Sequence, residues 1–317
     1  MLVYLMRRLV LVIPLLWGIS TLTFALVHLA PGGPAILIPR ILNGQVVDTR
    51  PLAHSLGLDA PLPVQYVRWL ARLVHGDLGV SFTDGAPVVS EIASRLPATL
   101  ELMATAIGLA LVIGVPLGIF AATRRDTLPD RVATTGRLFA LSIPQFWLAL
   151  VAITIFAVTL HWLPTGGRTT LIGPASLGDA LRHLVLPAST LSLLYLGSWM
   201  IYMRSGMLDV IRQDYIRTAR AKGLSRRQVL LKHAVRNALI PLITVIGLTL
   251  PELLGGAVVI ENTFGWPGMG QLIVNSANAR DYPLVLGITL MAGLLVIAGN
   301  LLADLTYSVL DPRIRYS

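Results

Sequence analysis

No cysteine occurs anywhere in the 317-residue chain, which excludes disulfide frameworks, zinc–thiolate sites, iron–sulfur clusters and cysteine nucleophiles. Charge is scarce as well. Charged side chains make up 13% of the residues and hydrophobic ones 55%, whereas a soluble domain carries about 25% charged residues, so a soluble fold is strained from the start. A Ser/His/Asp constellation, an HExxH pair and a phosphate-cradling glycine loop are also missing, and with them the usual signatures of hydrolases, zinc peptidases and nucleotide hydrolysis. No metal site is legible. The formal net charge of +9 would suit nucleic acid if it were spread over a surface, so its distribution has to be followed along the chain.

What is abundant is long apolar sequence. Crossing a hydrocarbon core takes roughly 20 helical residues. Uncharged runs of that order cover Leu9–Ala30, Leu102–Thr123, Leu138–Leu160, Leu184–Met203 and Tyr282–Ala303, and a sixth, Asn237–Ile260, is interrupted only by Glu252. The pattern predicts an all-α integral membrane protein with six transmembrane helices. Pro14, Pro116, Pro144, Pro187, Pro241 and Pro251 fall inside these runs and imply kinked helices whose freed carbonyls are satisfied by neighbours. Arg7 and Arg8 resemble the n-region of a signal peptide, but the 22-residue run after them exceeds the roughly 7–15 residues of a signal core, so it reads as a retained helix.

With both termini placed inside, 17 of the 25 lysines and arginines fall on the cytoplasmic side, the asymmetry expected of a multispan protein in a bacterial inner membrane. Three segments follow: residues 1–30 with the first span, an external turn-rich subdomain over 31–97 with one amphipathic helix near Val64–Val74, and a five-helix core over 98–317. The 31–97 segment holds Pro31, Pro34, Gly57, Pro61, Pro63, Gly76, Gly79 and Gly85, and its five basic residues are balanced by five acidic ones.

The basic excess sits in one place. Residues 204–236 contain nine lysines and arginines against Asp209 and Asp214, which is +7 of the chain's +9; this concentration points away from nucleic acid. Asp214–Lys222 reads as a short helix closed by Gly223, suited to the left-handed position after a helix. Ser225 with Gln228 has the form of a capping box and opens a second short helix towards Arg236. A solvated positive-inside loop would explain the charge but not the small residues Ala219, Ala221 and Gly223. A patch for anionic lipid and a docking surface for a partner are the other two readings.

The stretch Asp214–Ser225, followed by Val229–Pro241, resembles the EAA loop of permease subunits in ATP-binding-cassette importers, and within them the B-type subunit of the dipeptide/oligopeptide group. Arg217-Thr218-Ala219 stands where the general motif has Glu-Ala-Ala, Gly223 is the motif glycine, and Arg236 replaces a later proline. The likeness extends to His28–Pro34, Leu56–Tyr66, Leu96–Glu101, Phe264–Gly270 and Leu310–Arg315. It implies a type I importer permease fold and a non-catalytic transport role for peptides or similar small solutes. It implies that Arg217, Thr218, Ala219, Arg220, Ala221, Lys222, Gly223 and Leu224 couple the chain to ATPase subunits. Implied partners are a homologous C-type permease chain, two nucleotide-binding subunits that hold ATP and magnesium, an extracytoplasmic substrate-binding protein and the lipid bilayer. This chain has no Walker A motif and holds no cofactor of its own.

Polar groups inside spans are the remaining candidates, because exposing them to lipid is costly. Glu252, beside Pro251, faces either the pathway or a neighbouring helix. Asn300 and Asp304 share one helix face and suit helix-to-helix hydrogen bonding, while Glu101 suits the positive end of its helix. His54 and Asp59 have the His-x4-Asp spacing of membrane acyltransferases, a weak signal within the external segment. An acyltransferase and a secondary transporter, whose inverted repeats are not evident, are the rival functions; stimulation of ATP hydrolysis by a binding protein separates all three.

Overall fold

Helix is forced on most of this chain, because backbone N–H and C=O groups in hydrocarbon can only pair within their own segment or a closed barrel. The computed structural model describes residues 2–29, 40–42, 45–47, 54, 58–170 and 176–310, with side chains described except at 2–9, 40–47, 129, 133, 137–141, 248, 250–253 and 302–310. In chain order the helices are α1 (Leu2–Leu29), α2 (Leu62–Val74), α3 (Val88–Thr123), α4 (Leu128–Ser142), α5 (Gln145–Ala152), α6 (Leu177–Ile211), α7 (Asp214–Ala221), α8 (Arg226–Gln228), α9 (Arg236–Phe264), α10 (Met269–Asn278) and α11 (Tyr282–Leu310). Two π-helical stretches, Ile153–Thr159 and Val229–Val235, extend α5 and join α8 to α9. One departure from an all-helical chain is a short antiparallel pair, β1 (Arg40–Leu42) with β2 (Gln45–Val47), in which Arg40 faces Val47.

Among the described residues five helices are long and apolar enough to cross a membrane, those built on α1, α3, α6, α8–α9 and α11, and the shorter apolar helix Gln145–Thr159 makes the sixth. The third span is where the expectation needs correction. Leu138–Leu160 is not one helix: α4 stops at Ser142, Ile143 is extended with ψ 124°, and α5 starts anew behind Pro144. Steric clash with the proline ring disfavours the helical region for the residue before it, and here the chain breaks rather than kinks. Other helices outrun their apolar cores. α6 extends seven residues before Leu184 and eight beyond Met203, and α9 runs on to Phe264 past Glu261.

The chain forms two units. The first comprises residues 1–98 and 268–297. Its core joins Val88 and Ile92 of α3 to Met269 and Leu272 of α10 and to Leu284 and Ile288 of α11, and a second cluster joins Phe24, Trp69, Leu286 and Leu290. Asp281, fully buried, accepts from the Ser81 hydroxyl at 2.6 Å and the Thr83 N–H at 3.1 Å, which pins the 81–84 turn to the start of α11. The Tyr66 hydroxyl of α2 lies 2.7 Å from Thr21 Oγ1 of α1.

The second unit comprises residues 99–267 and 298–317, and α6 is its axis, with Leu184, Leu191, Trp199, Met203 and Met207 all buried. Neighbouring helices approach it backbone to backbone. A Cβ on Gly118 of α3 would lie 2.5 Å from the Met200 carbonyl oxygen, and one on Gly206 of α6 would lie 2.8 Å from that of Ala238 in α9. Small residues at such crossings let helices gain contact that lipid cannot supply.

Candidate functional site

The segment between α6 and α9 is built by local rules. α7 begins at Asp214 and shows an inner face, on which Ile216 and Ala219 are buried, and an outer face carrying Tyr215, Arg217, Thr218, Arg220 and Ala221. Lys222 caps it and Gly223 follows with φ +78°. The Gly223 N–H donates to the Arg220 carbonyl at 3.0 Å and the Leu224 N–H to that of Ala219 at 3.4 Å. This is the paired closure that satisfies the last carbonyls of a helix when the next residue is left-handed. Ser225 then caps α8 reciprocally: its hydroxyl accepts from the Gln228 N–H and its own N–H donates to Gln228 Oε1 at 3.1 Å.

The turn and the capping box read from the sequence are both present, but the second helix is not a separate short one. α8 passes through the π stretch straight into α9, so the segment is one short helix, a sharp turn, and the start of a long rod. Asn237 in that rod donates to the Tyr215 hydroxyl at 3.1 Å and so holds α7 alongside.

The structure also sorts the candidate residues by face. Ala219, read as a small side chain left open for a partner, is 7% exposed and packs within its own chain. Ala221, Lys222, Gly223 and Leu224 are open to the outside, together with Arg217, Thr218 and Arg220. Of the nine cations over 204–236, only Arg204 and Arg217 have a carboxylate within 4 Å among the described residues. The Arg217–Asp214 contact is long, 3.7 Å, and highly exposed, so it contributes little. The loop's outer surface is therefore a dense, largely uncompensated positive patch with small side chains at its turn.

Arg204 differs from the rest. Its Nε donates to Asp130 Oδ1 at 2.5 Å and its Nη2 to Oδ2 at 2.7 Å, and Asp130 also accepts from the Asp126 N–H at 3.0 Å. Asp130 is 3% exposed. The two guanidinium bonds hold its carboxyl below the usual carboxylate range, against the opposing pull of burial.

The intramembrane candidates separate. Glu101 pairs with Arg168 at 2.7 Å, both partly exposed. Glu252 lies in α9 three residues after Thr249, but its side chain, like that of Asp304, is outside the described residues. A buried carboxylate that the sequence reading did not single out, Glu261, accepts from the Thr99 hydroxyl at 2.7 Å and is fully buried. Between α5, α6 and α9 lies a cavity of about 410 Å3. Its polar lining, from Gln145, Tyr195, Ser198 and Thr249, carries no charge, and Gly255 and Gly256 form part of the wall. His54 Nδ1 is 2.6 Å from Asp59 Oδ2, at side-chain exposures of 80% and 55%, and this bond lowers the Asp59 pKa. An open, solvated pair of this kind is a surface contact. Among the described residues no cluster of metal-ligating side chains occurs.

Six apolar helical segments and a basic helix–turn–rod define a multispan helical membrane protein. Residues 114–316 match the family described as binding-protein-dependent transport system inner membrane component, and residues 1–103 match the N-terminal component of the same systems. The chain belongs to this family. It is 44% identical over 316 residues to the oligopeptide transport system permease protein AppB of Bacillus subtilis, covering 99% of each chain. It is 40% identical over 339 residues to the dipeptide transport system permease protein DppB of Escherichia coli K12, covering 100% of this chain and 99% of the relative. A chain of the MetNI methionine ABC transporter in an inward-facing conformation shares the fold, with a TM-score of 0.54 at 17% identity over 70% of this chain and 97% of that one. The protein is thus a membrane-embedded permease component of a binding-protein-dependent transport system.

Proposed function

We propose that the chain carries peptides or similar small solutes across the bacterial inner membrane, with both termini in the cytoplasm and residues 217–224 as its docking surface for a nucleotide-binding subunit. The observation that carries this reading is the outer face of α7 and its turn: exposed cations around small side chains, on a backbone whose bend is fixed by two hydrogen bonds and a capping box. A slack connector does not need such a bend. A surface that must fit a cleft does, since orientation held in advance is not lost on binding.

The peptide cargo rests on the relatives, two of which are named for oligopeptide and dipeptide transport. In this reading a homologous permease chain completes the pathway, two ATPase subunits hold ATP and magnesium, and an extracytoplasmic binding protein delivers the substrate. The uncharged polar cavity at Gln145, Ser198 and Thr249, with Glu252 about one turn further along α9, belongs to the pathway. Such a lining suits amide-rich cargo of varied side-chain charge.

The test is Ala221→Asp. Ala221 is exposed, so the substitution adds bulk and negative charge to the outer face without touching the packing of Ile216 and Ala219. The variant chain should insert normally, while co-purification with the ATPase subunits, binding-protein-stimulated ATP hydrolysis and uptake fall together. Wild-type uptake by this variant would remove the docking assignment. Ala219→Asp is less informative, because a charge on the buried face would unfold α7 whatever docks there.

A further inference from the structure

Arg204 and Asp130 lie at the root of the docking loop rather than on its surface. Arg204 is within the last turns of α6, just before α7 begins at Asp214, and Asp130 is in the first turn of α4. The carboxylate is enclosed and both its oxygens are taken by the guanidinium fork. The backbone at that point is fixed too: a Cβ on Gly118 of α3 would meet the Met200 carbonyl oxygen, Met203 Cβ at 2.8 Å and the Arg204 N at 3.2 Å. Three helix ends are therefore clamped together by a backbone contact on one side and a two-point ion pair on the other.

Enclosing an ion pair contributes little to stability compared with an apolar pair of the same size. What it supplies is direction, since a guanidinium and a carboxylate joined at two points fix each other's orientation as a single contact does not. The opposite root of the loop is held differently, through the π-helical stretch Val229–Val235.

We propose that Asp130 and Arg204 are positioning residues for coupling: they form the fixed end of the 204–236 loop, against which movement of a docked ATPase subunit is converted into movement of the spans. The proposal rests on the docking reading of residues 217–224.

The experiment uses the complete transporter in proteoliposomes. Asp130→Asn keeps the shape and removes the charge, and Arg204→Lys keeps the charge and removes the fork. For Asp130→Asn, measured per assembled complex, hydrolysis without binding protein should stay within about twofold of wild type, while uptake falls about tenfold, the order of one charge-assisted hydrogen bond. More ATP should be consumed per substrate imported. Arg204→Lys should fall between the two, and the exchange of charges, Asp130→Arg with Arg204→Asp, should recover uptake.

The proposal is overturned if Asp130→Asn imports at the wild-type rate with the wild-type ATP-to-substrate ratio. It is equally overturned if uptake in Asp130→Asn and Arg204→Lys falls only in proportion to assembled complex, for then the pair serves assembly alone. Gly223→Val, measured in parallel, separates this from the reading beneath it. If that variant stays coupled, the docking reading itself falls; if it uncouples while Asp130→Asn does not, only the fixed-end role is lost.

Discussion

Gly223 offers the most quantitative test of the docking turn. Its φ of +78° belongs to the left-handed region, and a Cβ built there meets nothing within 4 Å. The first carbon of a substitution therefore clashes with no neighbour, and its main effect is backbone strain, about 1–2 kcal/mol for an ordinary residue. That corresponds to roughly a 5–30-fold shift against the observed turn. Valine should lie at the upper end, since β-branching restricts its side chain as well, and alanine at the lower end. Asparagine, which enters the left-handed region more readily, should be nearly neutral. The loss is read as uptake and binding-protein-stimulated ATP hydrolysis in proteoliposomes, normalised to the inserted chain. Both should fall in the order Gly, Asn, Ala, Val while insertion stays constant, because the strain lies outside the spans. Wild-type coupling in Gly223→Val, or asparagine as damaging as valine, would refute the argument that the turn's handedness is what the partner requires.

Gly206→Val should disrupt the α6–α9 crossing, where even the first added carbon comes within 2.8 Å of the Ala238 oxygen; overpacking of this kind costs about 1–3 kcal/mol, to be read as a lowered melting temperature of the detergent-solubilised complex. Cysteines introduced singly at Ser90 and Ser225 of this cysteine-free chain should react with an impermeant maleimide from opposite sides of the membrane, Ser90 in intact cells and Ser225 only after permeabilisation, and reaction of both in intact cells would refute the proposed topology. His54→Ala should leave uptake unchanged, since the Asp59 contact is solvated; loss of uptake with normal assembly would reveal a real site there.

Signals carried by neighbours in sequence were the ones legible without a structure. The glycine after Lys222 and the Ser225/Gln228 pair are decided within four residues, and both appear in the fold as the spacing predicts. Hydropathy located the spans but ended them where charge appears. Glu261 closed an apolar run on paper, whereas in the fold it is buried against Thr99 and α9 continues past it. Pairs such as Thr99 with Glu261, Arg168 with Glu101 and Arg204 with Asp130 join residues 162, 67 and 74 positions apart, and periodicity is silent about them. It is equally silent about which side of α7 faces its own chain, and the small side chain of Ala219, outward by its motif position, is buried in the fold. At Pro144 the ambiguity is physical: transmembrane helices absorb some prolines as kinks, as α6 does at Pro187, and break at others, and only the surrounding packing decides.

The π-helical link between α8 and α9 places a surplus residue in the winding of the long rod. A π turn holds about one residue more than an α turn, so tightening Val229–Val235 into α geometry expels a surplus residue from the winding. Because each α residue accounts for about 100° of rotation and 1.5 Å of rise, absorbing or releasing that residue turns everything beyond it like a screw advanced by part of a thread. Thr249, Gly255 and Gly256 lie beyond it. Thr249, Gly255 and Gly256 would then present different edges to the cavity they line.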